Sequence, residues 1–134
     1  MKWIFLLTAA LTIVFTSPSF AALGNSEEQI EDLLGKPSDE GFPNERGVST
    51  NTYQKGNYIV LVQFLRHLSL AESYTRVDKA ELRDSEIAAL LEGSANELKW
   101  IKDPSRAAWV REDHKARAWY ETLSGRPTLL IQAE

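Results

Sequence analysis

Residues 55–75 read KGNYIVLVQFLRHLSLAESYT, and this stretch decides the fold. Gly56-Asn57 is a two-residue hairpin signal, with strand-forming runs at 52–55 and 58–65 on either side of it. Strand side chains alternate between two faces, so Tyr58, Val60, Val62 and Phe64 point one way and Ile59, Leu61 and Leu65 the other. Both sets are apolar, which predicts an interior strand covered on both sides. Arg66-His67 then forms a tight turn into a third run, 68–75. Leu68, Leu70 and Tyr74 are expected inward there, with Ser69, Ala71 and Ser73 outward. Three antiparallel strands in succession make residues 52–76 a hairpin sheet.

Upstream, Pro37, Gly41, Pro43 and Gly47 mark 36–51 as a loop, long enough to be functional or simply mobile. Before it, Ser26-Glu27-Glu28-Gln29 has the spacing of a capping box, and Ile30, Leu33 and Leu34 form an apolar stripe, giving a helix over 26–34. Downstream, Ile87, Leu90 and Leu91 repeat that stripe at an offset of 57 residues, in a second helix over 85–92. The repeat is either an internal duplication or a common amphipathic pattern recurring by chance. Four further strands fall at 98–102, 107–111, 116–121 and 128–133, with turns at Asp113-His114 and Gly125-Arg126-Pro127. The expected fold is therefore α+β, two short helices packed on an antiparallel sheet of six to seven strands, in a single domain over 22–134 whose second sheet segment is 98–133.

The first 21 residues do not belong to that domain. Lys2 is followed by an uncharged run to Thr16, then Pro18 and the small residues Ser19 and Ala21 at −3 and −1 of a cleavage site. This is the pattern of a secretory signal peptide over 1–21, cut after Ala21, with Ala22 as the next candidate. About 14 apolar residues would span roughly 21 Å as a helix, short of the ~30 Å hydrocarbon core, so a membrane anchor is disfavoured. The chain is thus expected to be exported, to the periplasm or the medium. It has no cysteine, which excludes a lipid anchor on cysteine, disulfides and thiolate chemistry. Fifteen Lys and Arg against nineteen Asp and Glu give a net charge of −4, the wrong sign for a nucleic-acid footprint. No membrane span is expected in the mature chain.

Residues able to carry catalysis are sparse. There is no Gly-x-Ser-x-Gly elbow, no phosphate-cradling glycine loop, and only two histidines. His67 sits in a turn, where a solvated side chain is the default. His114 is flanked by Glu112, Asp113 and Lys115 in a spacing that matches no metal site. Paired acids such as Glu27-Glu28, Glu31-Asp32 and Glu112-Asp113 would need burial and a defined separation to do acid–base work. No catalytic residue, metal or cofactor is expected.

The aromatic signal is stronger. Trp100, Trp109, Trp119 and Tyr120 fall within 21 residues on neighbouring strands. Alternation puts Lys115, Arg117, Trp119 and Glu121 on one face, and Ala116, Ala118 and Tyr120 on the other. Trp and Arg dominate interface hot spots, which makes Trp119, Arg117, Lys115, Glu121 and Trp109 candidate binding residues for a protein partner. The reading favoured over that one is that the tryptophans plug the sheet–helix core while long charged stems cover its edge.

The stretch 26–37, SEEQIEDLLGKP, and the hairpin 53–64, YQKGNYIVLVQF, resemble the SmpA/OmlA small outer-membrane lipoproteins and the β-lactamase-inhibitor-protein-like fold. With Asp84-Ser-Glu-Ile87, Lys99-Trp100, Trp109-Val110 and Ala118-Trp-Tyr120, nearly the whole mature chain also resembles small exported bacterial proteins of unknown function. The first resemblance implies a non-enzymatic module that binds protein or envelope components through its sheet face, without the lipid-bearing cysteine. The second implies no activity. The expected function is a non-enzymatic binding module of the envelope or medium. The alternatives are an envelope hydrolase, an inhibitor of a secreted hydrolase, or a purely structural envelope protein.

Overall fold

A computed structural model describes residues 23–134; the expected signal peptide and its expected cleavage site at Ala21 and Ala22 lie outside them. The chain runs α1 (Glu27–Leu34), β1 (Asp39–Glu40), β2 (Val48–Lys55), β3 (Tyr58–Leu65), β4 (Leu68–Arg76), α2 (Asp84–Glu92), β5 (Trp100–Lys102), β6 (Ala108–Arg111), β7 (Ala116–Leu123) and β8 (Arg126–Ala133). The strands form one antiparallel sheet of eight, in the order β1-β2-β3-β4-β8-β7-β6-β5. The strand beyond the expected seven is β1, a two-residue pairing of Asp39 and Glu40 with Thr52 and Asn51 inside what reads as loop. Gly41 continues this close approach, donating its N–H to the Thr50 carbonyl at 2.9 Å. A Cβ there would lie 2.4 Å from that oxygen, so glycine is required.

The element order α-β-β-β-β occurs twice, and the two halves meet where β4 pairs with β8. The Arg66-His67 turn and its counterpart Ser124-Gly125 both place two residues at positive φ, 53° and 68° in the first and 51° and 77° in the second. Such turns match the twist of the strands they join.

Both helices lie on one face. Ser26 Oγ accepts from the Gln29 N–H at 3.2 Å while Gln29 Oε1 accepts from the Ser26 N–H at 2.9 Å, closing the capping box and fixing where α1 begins. Ile30 and Leu34 of α1, with Ile87, Leu90 and Leu91 of α2, form one cluster with Tyr53, Val60, Val62, Phe64, Tyr74, Ala118, Leu129 and Ile131 of the sheet. The N-terminal end of α2 is clamped to the sheet. Arg76 contacts both Glu86 carboxylate oxygens at 3.1 Å, and the Tyr58 hydroxyl donates to the same carboxylate. At the other end the Trp100 indole N–H donates to the Leu91 carbonyl at 2.8 Å.

Two expectations are corrected here. The apolar alternation of β3 is real, but only one side is covered. Val60 and Val62 are fully buried, whereas Leu61 is 38% exposed on a face that carries neither helix of the described residues. In β4, Leu68 and Leu70 do not point inward: Leu68 is 51% exposed, and the buried residues are Ser69, Glu72, Tyr74 and Thr75. The cause is a β-bulge. Ser69 pairs with Phe64 and Ala71 with Gln63, leaving Leu70 as the extra residue that shifts the phase of the strand.

Candidate binding face

The helix-free face is built from register. Trp119 stands between Ala108 of β6 and Leu130 of β8, and the same row continues through Ser73 and Leu61 to Thr52. The adjoining row runs Thr50, Gln63, Ala71, Gln132, Arg117, Val110 and Ile101. Cross-strand partners share a face, so these residues form one continuous surface of apolar, amide and small side chains. Its apolar members include Leu61 and Ile101, 38% and 56% exposed, with Val110, Trp119 and Leu130 half-buried.

Trp119 is held rather than loose. Its indole N–H donates to Glu121 Oε1 at 3.2 Å, two residues on along the same face. Arg117 Nε meets Glu134 Oε1 at 2.7 Å. Beside this ridge the sheet dips. Ala71 and Ser73 on β4 form the floor of a trough of about 140 Å³, walled by Leu61, Gln63, Leu130 and Gln132 and closed at one side by Trp119. On the other side of Trp119 a broader depression of about 460 Å³ is lined by Ile101, Val110, His114 and Arg117. A ridge with a hollow on either side, bordered by Arg117, Glu121 and Glu134 and, across the broader hollow, by Lys102, Asp103 and Arg106, is shaped to take apolar side chains from a partner.

The expected binding residues do not all meet here. Arg117, Trp119 and Glu121 share this face, while Ala116 and Ala118 are buried beneath the helices and Tyr120 packs against that core. Lys115 precedes β7 and lines a different groove at the end of the sheet, with Leu23, Ser94 and Arg111. Trp109 pairs in register with Ala118 and therefore lies on the opposite, helix-covered face, packed against the core as Trp100 is. The tryptophans thus divide: Trp100 and Trp109 serve the core and Trp119 the open face.

Tyr58, Glu72, Tyr74 and Glu86, all with perturbed acidity, lie on the helix side, while Asp103, its carboxyl held low by the Ser105 N–H and hydroxyl, borders the depression beside Trp119. Burial, with the Glu86 carboxylate as hydrogen-bond partner, pushes the Tyr58 hydroxyl up to about 12. Glu72 is buried beneath the helices, with the Tyr74 hydroxyl donating to its Oε2 at 2.6 Å. His67 is a surface turn residue, its ring 3.5 Å from Glu27. Among the described residues, no three His, Asp or Glu side chains are grouped so as to hold a metal ion. No described helix is long and apolar enough to cross a membrane.

One feature escaped the sequence. Phe42 is 94% exposed, on a loop braced by the Gly41–Thr50 bond and by Asn44, whose side-chain oxygen accepts from the Arg46 and Val48 N–H groups. A lone aromatic between Gly41 and Pro43 in a polar loop was the available signal. Behind the loop, a cleft of about 590 Å³ is bordered by Glu27, Arg46, Asn51, Arg66 and His67.

No family model matches this chain, and no curated protein matches it. Among solved structures it is similar to a cysteine-rich secretory protein from Staphylococcus aureus, at 13% identity and a TM-score of 0.46. It is also similar to an extracellular protein containing an SCP domain from Bacillus anthracis, at 9% identity and a TM-score of 0.48. Each alignment covers 84% of this chain but only 43% and 44% of those proteins, so the chain spans less than half their length. Likeness at this level carries neither a fold assignment nor an activity.

Proposed function

We propose that this chain is an exported, non-enzymatic binding module that engages a protein partner in the bacterial envelope or the medium through the helix-free face of its sheet. One observation carries the proposal: among the described residues, an interior row of an eight-stranded sheet presents Leu61, Leu130 and Trp119 with no helix over them. A contiguous uncovered apolar surface with a rim of charge is the usual mark of a protein-interaction site. The leader-like residues 1–21 support export. The resemblance to small envelope proteins that bind through a sheet points the same way.

The test is capture from an envelope extract with the purified chain as bait. A specific partner is expected on the wild type, and Trp119→Ala should weaken its binding by roughly 2 kcal/mol or more, as for a hot-spot aromatic. A partner held equally well by Trp119→Ala would overturn the assignment of the face.

Inhibition of a secreted hydrolase is the second reading, and Phe42 favours it. A fully presented aromatic on a braced loop is suited to plugging a concave site. If that reading holds, Phe42→Ala abolishes capture and Trp119→Ala does not.

A further inference from the structure

The helix-free face is self-complementary about one line. β8 is flanked by β7 on one side and β4 on the other. At each level along β8 the two flanking residues differ in size. Leu130 has Trp119 on one side and Ser73 on the other; Gln132 has Arg117 and Ala71; Thr128 has Glu121 and Thr75. One strand further out, Ala108 lies beyond Trp119 and Leu61 beyond Ser73.

Consider two such faces stacked about a two-fold axis that runs along β8, midway between the sheets. The operation keeps each residue at its level and exchanges the two sides of β8. Trp119 of one copy then lies over Ser73 of the other, beside the Ala71–Ser73 trough, and the reverse contact forms by symmetry. Leu61 lies over Ala108, and Leu130 meets Leu130 on the axis. Arg117 faces Ala71, and Glu121 stands at the level of Thr75 and Thr128, which are buried and bound the contact at that end, so no charge is set against its own sign. Trp119, Arg117 and Leu61 each meet a small residue, and Gln63 of one copy lies over Val110 of the other. Aligned sheets cross at about −30°, so pairings beside the axis keep their level best, and Trp119 and Ser73 are on the strands immediately beside it.

We propose that the helix-free face seats a second copy of this chain about a two-fold axis along β8, with Trp119 of each copy in the Ala71–Ser73 trough of the other. This rests on the reading of that face as the binding surface and names the partner. The five strands β3, β4, β8, β7 and β6 give a patch about 24 Å across and, over the two levels of Leu130 and Gln132, about 14 Å along the strands. That is on the order of 340 Å² of flat area per copy, small for a specific interface, so the dimer is expected to be weak and to exchange, forming toward the upper end of the micromolar range.

The experiment is sedimentation equilibrium of the purified protein from low micromolar to several hundred micromolar, with thermal melts to establish folding. Wild type should pass from monomer to dimer. Trp119→Ser removes the knob and Ser73→Trp fills the trough, and each should weaken association at least tenfold. The double exchange, Trp119→Ser with Ser73→Trp, restores a knob opposite a trough and should recover affinity to within a few fold of wild type. Leu130→Arg sets two guanidinium groups face to face on the axis and should abolish the dimer, and it serves if an exchange variant fails to fold. A wild type that stays monomeric throughout, single variants that associate as tightly as wild type, or a double exchange no better than the singles would each overturn the proposal. If the wild type is monomeric yet Trp119→Ser loses a different captured protein, self-association fails while the binding face stands. If Trp119→Ser changes neither association nor capture, both readings fail together.

Discussion

Glu72 is a carboxylic acid in the wrong solvent. It pairs in register with Val62 and Ile131, faces the helices and is 1% exposed. The Tyr74 hydroxyl donates to Oε2 at 2.6 Å, while Oε1 is buried with no hydrogen bond. Burial pushes its pKa from about 4.5 up to about 7, against the opposing pull of the Tyr74 hydrogen bond. The folded state therefore binds a proton between these values that the unfolded chain does not. The contribution of Glu72 to stability is fully present below about 4.5, falls as pH rises, and levels off above about 7. At one tenfold step per pH unit the loss is about 3 kcal/mol. Glu72→Gln, with no charge to bury, should abolish this slope. It should melt above wild type at pH 8, with that advantage gone at pH 5. Denaturant midpoints of both proteins across this range check it, and an unchanged slope in the variant would assign the pH dependence elsewhere. The alternation that sends Tyr74 inward sends Glu72 inward as well, because residues two apart share a face. The bulge at Leu70 changes the phase only before it, at Leu68 and Ser69. What the strand pattern could not show is that this face is sealed from water over a carboxylate.

At the scale of elements, alternation was legible and cover was not. The two faces of β3 were assigned correctly from Tyr58 to Leu65, as were those of β7 from Ala116 to Glu121, because a strand has a fixed period of two. Which face is buried depends on the helices. Eight strands at about 4.8 Å make a sheet roughly 38 Å wide, and each helix is about 10 Å across, so two helices cannot cover both faces. The contrast gives a direct expectation for β3. Val62→Asp puts an unpartnered charge into a fully buried site and should cost several kcal/mol, enough to unfold the domain. Leu61→Asp, next along the chain but on the open face, should remain folded, with a melting point close to wild type. Circular dichroism melts of the pair measure it; equal losses would mean that something covers Leu61 in solution. Trp109 was misplaced for a related reason. Its face follows from the pairing of Val110 with Arg117 across the β6–β7 turn, and turn geometry, not strand pattern, sets that register.

Over the whole molecule, the doubled α-β-β-β-β order explains why one face is left open. Each half brings one helix, both helices settle on the same side of the joined sheet, and the other side keeps its apolar row from Leu61 through Leu130 to Trp119. The matching stripes of Ile30, Leu33 and Leu34 with Ile87, Leu90 and Leu91 hinted at this order, but the meeting of β4 with β8 could not be read from them. The binding face and the two-fold dimer both depend on Trp119 facing outward while its neighbour Tyr120 faces in. Tyr120 packs on the core, its hydroxyl donating to Glu81 and accepting from the Leu82 N–H at 2.9 Å. The decisive measurement is the equilibrium unfolding of Trp119→Ala against Tyr120→Ala, made at high dilution so that association does not contribute. Tyr120→Ala should lose about 3 kcal/mol and Trp119→Ala no more than about 1.5 kcal/mol; a larger loss at Trp119 would contradict the assignment of the open face.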